Sequence, residues 1–174
     1  MTATTLVRPE PSEYAPFYQG YVARVPDGDI VHILEQQLQE TTALLAGLTE
    51  AQGEHRYAPG KWSIKEVVGH VADGERIFCY RALRFARADA TPLAAFEENA
   101  YVPEAGCGDR TLRDLAEELR TVRQATLTFV GSLTDRTAAR VGTASGKRIS
   151  VRALVYITAG HERHHVAILK ERYL

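Results

Sequence analysis

The stretch SVRALVYITAGHERHHVAILK, residues 150–170, predicts a long helix with two histidines on its buried face. Ser150 stands in the position of an N-cap. Apolar residues then recur with the histidines in steps of three and four, the spacing of one face of an α-helix. This face comprises Leu154, Ile157, His161, His165 and Ile168. Both histidines are therefore expected to point into a core built with other helices.

Three more helices are predicted upstream, over residues 29–48, 63–88 and 111–133. Each begins at a residue that can cap a helix and continues with helical apolar spacing. The second, with roughly 25 residues, would extend about 40 Å, a length that suits a bundle. Residues 89–110 predict a long crossover between helices two and three, and residues 134–147 a turn or short hairpin. The fold class predicted is all-α, a four-helix bundle.

Residues 27–174 are predicted to form one domain, preceded by an N-terminal arm over residues 1–26. Four prolines in the arm prevent a long helix there. Its aromatic side chains are expected to pack on the domain.

Composition restricts the classes of partner. A formal net charge of -1 gives no general attraction to nucleic acid or to an anionic membrane surface. No apolar run approaches the roughly 20 residues that span a bilayer. Two cysteines are too few for a disulfide framework, and the polar start lacks the features of a secretory signal, so a cytoplasmic location is expected. The expected partner is a small-molecule substrate; a homodimer is left open.

His161 and His165 are candidate metal ligands. Two histidines four apart on a helix can bind one ion, and a metal satisfies one nitrogen of each ring where an apolar face offers few hydrogen-bond partners. The third candidate ligand is His70, which is predicted to face inward from the second helix. His164 lies at the rim of the face and is a weaker candidate. A single inward histidine, in contrast, is more often a hydrogen-bonded core residue.

Four charged residues near these histidines are candidates for supporting roles. Glu66, Asp73 and Glu162 are predicted to accept hydrogen bonds from imidazole N–H groups and so to orient the rings. Arg81 shares the projected inward face of the second helix with His70. It is predicted to bind an anionic substrate, with a salt bridge or a surface position as the alternative.

The combination of Trp62, the capping box Ser63 to Glu66, His70 with Asp73, and the later pair His161 and His165 resembles the DinB/YfiT-like family of metal-dependent enzymes. The resemblance covers most of residues 29–174. It implies an up-down-down-up four-helix bundle with a site of three histidines, His70, His161 and His165, that binds nickel or zinc. It also implies a thiol S-transferase, with a low-molecular-weight thiol such as bacillithiol or mycothiol as cosubstrate, or a hydrolase.

Two alternatives remain open on the residues alone. His161-Glu162-x-x-His165 also fits the HExxH pattern of zinc metallopeptidases, in which Glu162 would be the general base. Such enzymes usually take a third ligand downstream, and the only acidic residue after His165 is Glu171. The second alternative is a metal-binding module without catalytic activity.

Overall fold

The computed structural model describes residues 6–174 and contains eight α-helices and one β-hairpin in that range. In chain order these are α1 (Gln19–Val22), α2 (Ile30–Ala46), α3 (Glu50–Gly53), α4 (Ile64–Ala86), α5 (Glu98–Glu104), α6 (Leu112–Gly131), α7 (Asp135–Ala138), β1 (Val141–Ala144), β2 (Lys147–Ser150) and α8 (Val151–Arg172). Short 3-10 turns occur at Pro11–Glu13, Pro16–Tyr18 and Cys107–Asp109.

The four long helices α2, α4, α6 and α8 form the bundle, with α4 packed against both α6 and α8. Each begins at a side chain that accepts a hydrogen bond from a backbone N–H of its first turn, and these caps are Asp29, Ser63, Thr111 and Ser150. Such caps satisfy N–H groups that would otherwise have no partner. The four predicted helices are thus confirmed, whereas the up-down-down-up order stays a prediction.

The segment before α8 contains a short hairpin, one of the two structures predicted for residues 134–147, within an otherwise helical fold. Residues 141–150 form a two-stranded antiparallel hairpin, in which Ala144 pairs with Lys147. Ser145 and Gly146 between the strands have φ values of 51° and 71°. Two central residues of positive φ make the tight turn whose twist suits a hairpin. The crossover segment is hydrogen-bonded to the hairpin: the N–H of Leu93 donates to Thr143 O at 2.9 Å.

The described part of the predicted arm, residues 6–26, lies against α8; its first five residues lie outside the described range. Arg8 donates hydrogen bonds to the carbonyl oxygens of Val22 and Val25 at 3.0 and 2.7 Å, which folds the arm back on itself. Arg152 of α8 forms an ion pair with Glu13. These contacts bring α1 beside α8, although the division into arm and domain remains a prediction.

Apolar side chains from the arm, all four long helices and the hairpin share the largest core cluster. Its fully buried members include Ile30, Leu34, Phe85, Leu154 and Ile157. The core thereby fixes α8 between α2 and α4 and determines where the histidines of α8 lie. None of the helices within residues 6–174 combines the length and apolar content that a membrane crossing requires.

Candidate metal centre

His70 of α4 meets His161 and His165 of α8 inside the bundle. One nitrogen from each ring can be chosen so that all three lie within 4.8 Å of one another. His161 Nε2 is 3.0 Å from His70 Nε2 and 3.2 Å from His165 Nε2. The three predicted ligands therefore converge from two helices that pack along each other.

Two of the three separations between these nitrogens fit a divalent ion. Metal–nitrogen distances of about 2.0–2.1 Å in a tetrahedral site separate neighbouring nitrogens by roughly 3.3 Å. The two observed separations, 3.0 and 3.2 Å, are close to that value. A neutral imidazole carries only one N–H. His161 Nε2 can therefore form a hydrogen bond with one of the two neighbouring Nε2 atoms but not with both. A single ion, in contrast, binds all three lone pairs at once.

Burial keeps the three rings in the neutral form that binds metals. It lowers the pKa of His70 to about 4 and that of His165 to about 3, and in His165 repulsion from the neighbouring imidazoles adds to the effect. Burial also lowers the pKa of His161 well below 6.5, with further contributions from His165, His70 and His164. No proton therefore has to be displaced from these rings when an ion binds at neutral pH.

Aromatic side chains and one glycine hold the imidazoles in place. The rings of Tyr21 and Phe78 both lie edge-on to His161, with centroids 5.5 Å away, and Trp62 lies 4.8 Å from His70. A Cβ atom built on Gly74 would lie 2.9 Å from His161 Cε1, closer than side chains tolerate. Gly74 therefore makes room for the His161 ring. Helical spacing predicts that Gly74 lies near the histidines but does not identify this contact.

The three carboxylates that the sequence predicts to orient imidazoles each pair with an arginine in the structure, so the orienting role stays a prediction. Glu66 accepts hydrogen bonds from Arg56 and from Ser63 N, and Asp73 pairs with Arg76. Glu162 pairs with Arg123 at 2.8 Å. In an α-helix Glu162 projects about 100° away from its neighbour His161, and here that direction is toward α2 and α6. A peptidase general base at Glu162 has no support from this arrangement.

Arg81 is buried as predicted, yet its partners belong to the fold. Its guanidinium donates to Ala94 O at 2.8 Å and to Ser145 Oγ at 3.2 Å, which ties the crossover to the hairpin. Its role in substrate binding stays a prediction. His164 lies at the rim, with its ring centroid 5.1 Å from that of His165. Across residues 6–174 no fourth His, Cys, Asp or Glu joins the cluster.

Comparisons with known proteins identify the fold and the family of the chain. No curated protein matches the chain. The solved structure of YfiT from Bacillus subtilis, described as a probable metal-dependent hydrolase with an unusual four-helix bundle topology, aligns with a TM-score of 0.71. The alignment covers 95% of this chain and 91% of that one at 16% identity, which shows a shared fold. A family model for the DinB superfamily matches residues 33–169, more than half of the chain. The protein therefore belongs to the DinB superfamily.

Proposed function

We propose that the protein is an enzyme that uses a divalent metal ion, bound by His70, His161 and His165, to act on a small molecule. The observation that carries the proposal is the convergence within 4.8 Å of three neutral imidazoles, two of them buried and that of His165 partly buried. Structural zinc sites usually have four protein ligands, whereas catalytic sites have three and leave a position open. Imidazole ligands suit both nickel and zinc, so either metal fits the donor set.

The chain's own residues supply position and shielding in this proposal. α4 presents His70 and α8 presents the other two ligands, while Tyr21, Phe78 and Trp62 limit ring movement and access of water. A divalent ion bound here would lower the pKa of a coordinated water or thiol and so provide a nucleophile at neutral pH.

Two reaction classes use such a nucleophile, namely hydrolysis and thiol S-transfer. Neither cysteine of the chain is suited to be the attacking thiol. Burial raises the pKa of Cys79 to about 11, and Cys107 is buried against Gly69 with a raised pKa as well. A thiol nucleophile would therefore have to come from a low-molecular-weight cosubstrate, because the thiolate is the reactive form.

Metal binding provides the first test. Protein purified without a histidine tag is expected to bind one divalent ion per chain, and His70→Ala should weaken binding at least about 100-fold because it removes a direct ligand. His164→Ala is the matched control, since this histidine lies beside the cluster but outside it. Calorimetry would give the affinities and circular dichroism the helix content. Equal affinity in the two variants would rule out His70 as a ligand.

Activity provides the second test. Metal-loaded protein, apoprotein and His165→Ala should be compared on a chromogenic electrophile with bacillithiol, mycothiol, glutathione, coenzyme A or no thiol. A metal-dependent rate that saturates as the concentration of one thiol rises would identify an S-transferase. A metal-dependent rate in the absence of any thiol would identify a hydrolase. In either case the loss in His165→Ala should be at least about 100-fold, because three-ligand sites depend on each ligand. If the protein binds metal but shows no metal-dependent reaction with chromogenic electrophiles, simple esters or amides, a non-catalytic metal-binding module would be favoured.

A further inference from the structure

Arg123 joins the four bundle helices from a fully buried position. On α6, its Nε and Nη2 donate to the two carboxylate oxygens of Glu75 on α4 at 2.8 and 2.7 Å. Nη2 also donates to Glu162 on α8 at 2.8 Å, and Nη1 donates to Leu34 O on α2 at 2.9 Å. Side-chain exposure is 0% for Arg123, 2% for Glu75 and 1% for Glu162. We call these three residues the buried clamp.

The clamp lies next to the candidate metal centre along both helices that provide its ligands. Glu75 directly follows Gly74, whose backbone packs against the His161 ring. Glu162 directly follows His161 itself. Arg123 thus connects α4 to α8 close to the point where the backbone of α4 contacts an imidazole of α8.

The charged groups of the buried clamp are better suited to fixing the geometry of the helices than to stabilising the fold. Burying charges costs free energy, and well-packed apolar residues often stabilise a core as well or better. A guanidinium fork, however, permits only a narrow range of geometry when it binds a carboxylate with two hydrogen bonds. Glu162 is further held by hydrogen bonds from Gln37 Nε2 and Thr41 Oγ1, both at 2.7 Å. The clamp therefore fixes the separation and rotation of α4 and α8.

We infer that the buried clamp is a positioning device for the metal centre, which holds α4 and α8 so that His70 meets His161 and His165. The inference rests on the proposed function. Metal sites require ligands held within about 0.5 Å of the productive geometry. Loss of a residue that hydrogen-bonds a metal ligand typically costs about 10–100-fold in metal affinity, and we take this as the scale for a residue that positions ligands through their helices. Arg123 and Glu75 are thereby positioning residues, which act on the metal only through the histidines.

The inference predicts that Arg123→Lys, which keeps the charge but loses the fork, weakens Co²⁺ binding about 10–100-fold. It should also change the visible absorption spectrum of the Co²⁺-loaded protein, since that spectrum reports coordination geometry. Arg152→Lys is the matched control, because it makes the same change in a two-hydrogen-bond Arg–Glu pair on α8, away from the ligands. Urea unfolding of each apoprotein measures stability separately.

Glu75→Gln provides a second variant that leaves the Arg123–Glu162 pair intact, and it decides the question if Arg123→Lys does not fold. We expect Glu75→Gln to show the same spectral change and a loss of Co²⁺ affinity of at least about 10-fold. If both variants are less stable but keep wild-type Co²⁺ affinity and spectrum, the clamp has a merely structural role. That result would overturn the inference and leave the proposed function standing. Failure of the wild-type protein to bind Co²⁺, Ni²⁺ or Zn²⁺ would overturn the proposed function, and the inference with it.

Discussion

Replacing Gly160 with alanine is expected to displace the N-terminal arm from α8 and to destabilise the protein by about 3 kcal/mol, the upper end of the usual cost of overpacking. A Cβ built on Gly160 would lie 2.0 Å from the carbonyl oxygen of Tyr21 and 2.4 Å from its carbonyl carbon. Both are backbone atoms of the arm, so no side-chain rotation relieves the clash. The segment around Tyr21 has to move away.

Displacement of the arm would also remove the Tyr21 ring from His161 and His164, which it contacts at centroid distances of 5.5 and 5.3 Å. Hydrogen exchange over residues 6–26 would detect the release, and urea unfolding would give the change in stability. Gly20→Ala is the control within the arm, because a Cβ there meets no atom within 4 Å. A Gly160→Ala protein with wild-type stability and a protected arm would contradict the packing described.

Local chemistry explains why much of this fold could be predicted. Ser63 with Glu66 and Thr111 with Asp114 form capping boxes within four residues of sequence, and the helices begin at those places. The spacing of His161 and His165 likewise requires only helical geometry. Helix ends are less well predicted, since α4 ends at Ala86, two residues early, where Ala88 takes a left-handed φ of 63°.

The contacts that could not be predicted join partners distant in sequence. Glu162 binds Arg123, which is 39 residues away and on another helix. Periodicity indicates which face of a helix a carboxylate shares but not which cation of a neighbouring helix meets it. Arg81 is an inward residue as predicted, yet its partners Ala94 and Ser145 lie in segments that lack periodicity. The close approach of Tyr21 to Gly160 depends in turn on the path of a proline-rich arm, which no local pattern defines.

Acidification is expected to unfold the apoprotein between pH 6.5 and about 4. Well above pH 6.5 the three histidines are neutral in both the folded and the unfolded chain, so they add no pH dependence there. Below 6.5 the unfolded chain takes up protons, whereas burial keeps the pKa of His70 at about 4 and that of His165 at about 3 in the folded protein. The unfolded state then binds more protons, and stability falls as the pH falls.

The expected loss by pH 4 is on the order of 3 kcal/mol for each of these two histidines, at about 1.4 kcal/mol per pKa unit. Losses of this size are comparable with the total stability of a domain, about 5–15 kcal/mol. Urea midpoints measured from pH 7.5 to 4 would show the effect. The double variant His70→Gln/His165→Gln should have a clearly flatter profile.

Metal-loaded protein should resist acid to a lower pH than apoprotein. An ion that binds only the folded state adds stability in proportion to the logarithm of its concentration over its dissociation constant. Because the folded imidazoles stay neutral well below pH 6.5, protons compete with the ion chiefly by protonating the unfolded chain. Metal release and loss of helical signal should therefore occur together in an acid titration. Complete metal release near pH 6, with the helical signal intact, would show that the three histidines titrate as exposed groups and would contradict the buried site described.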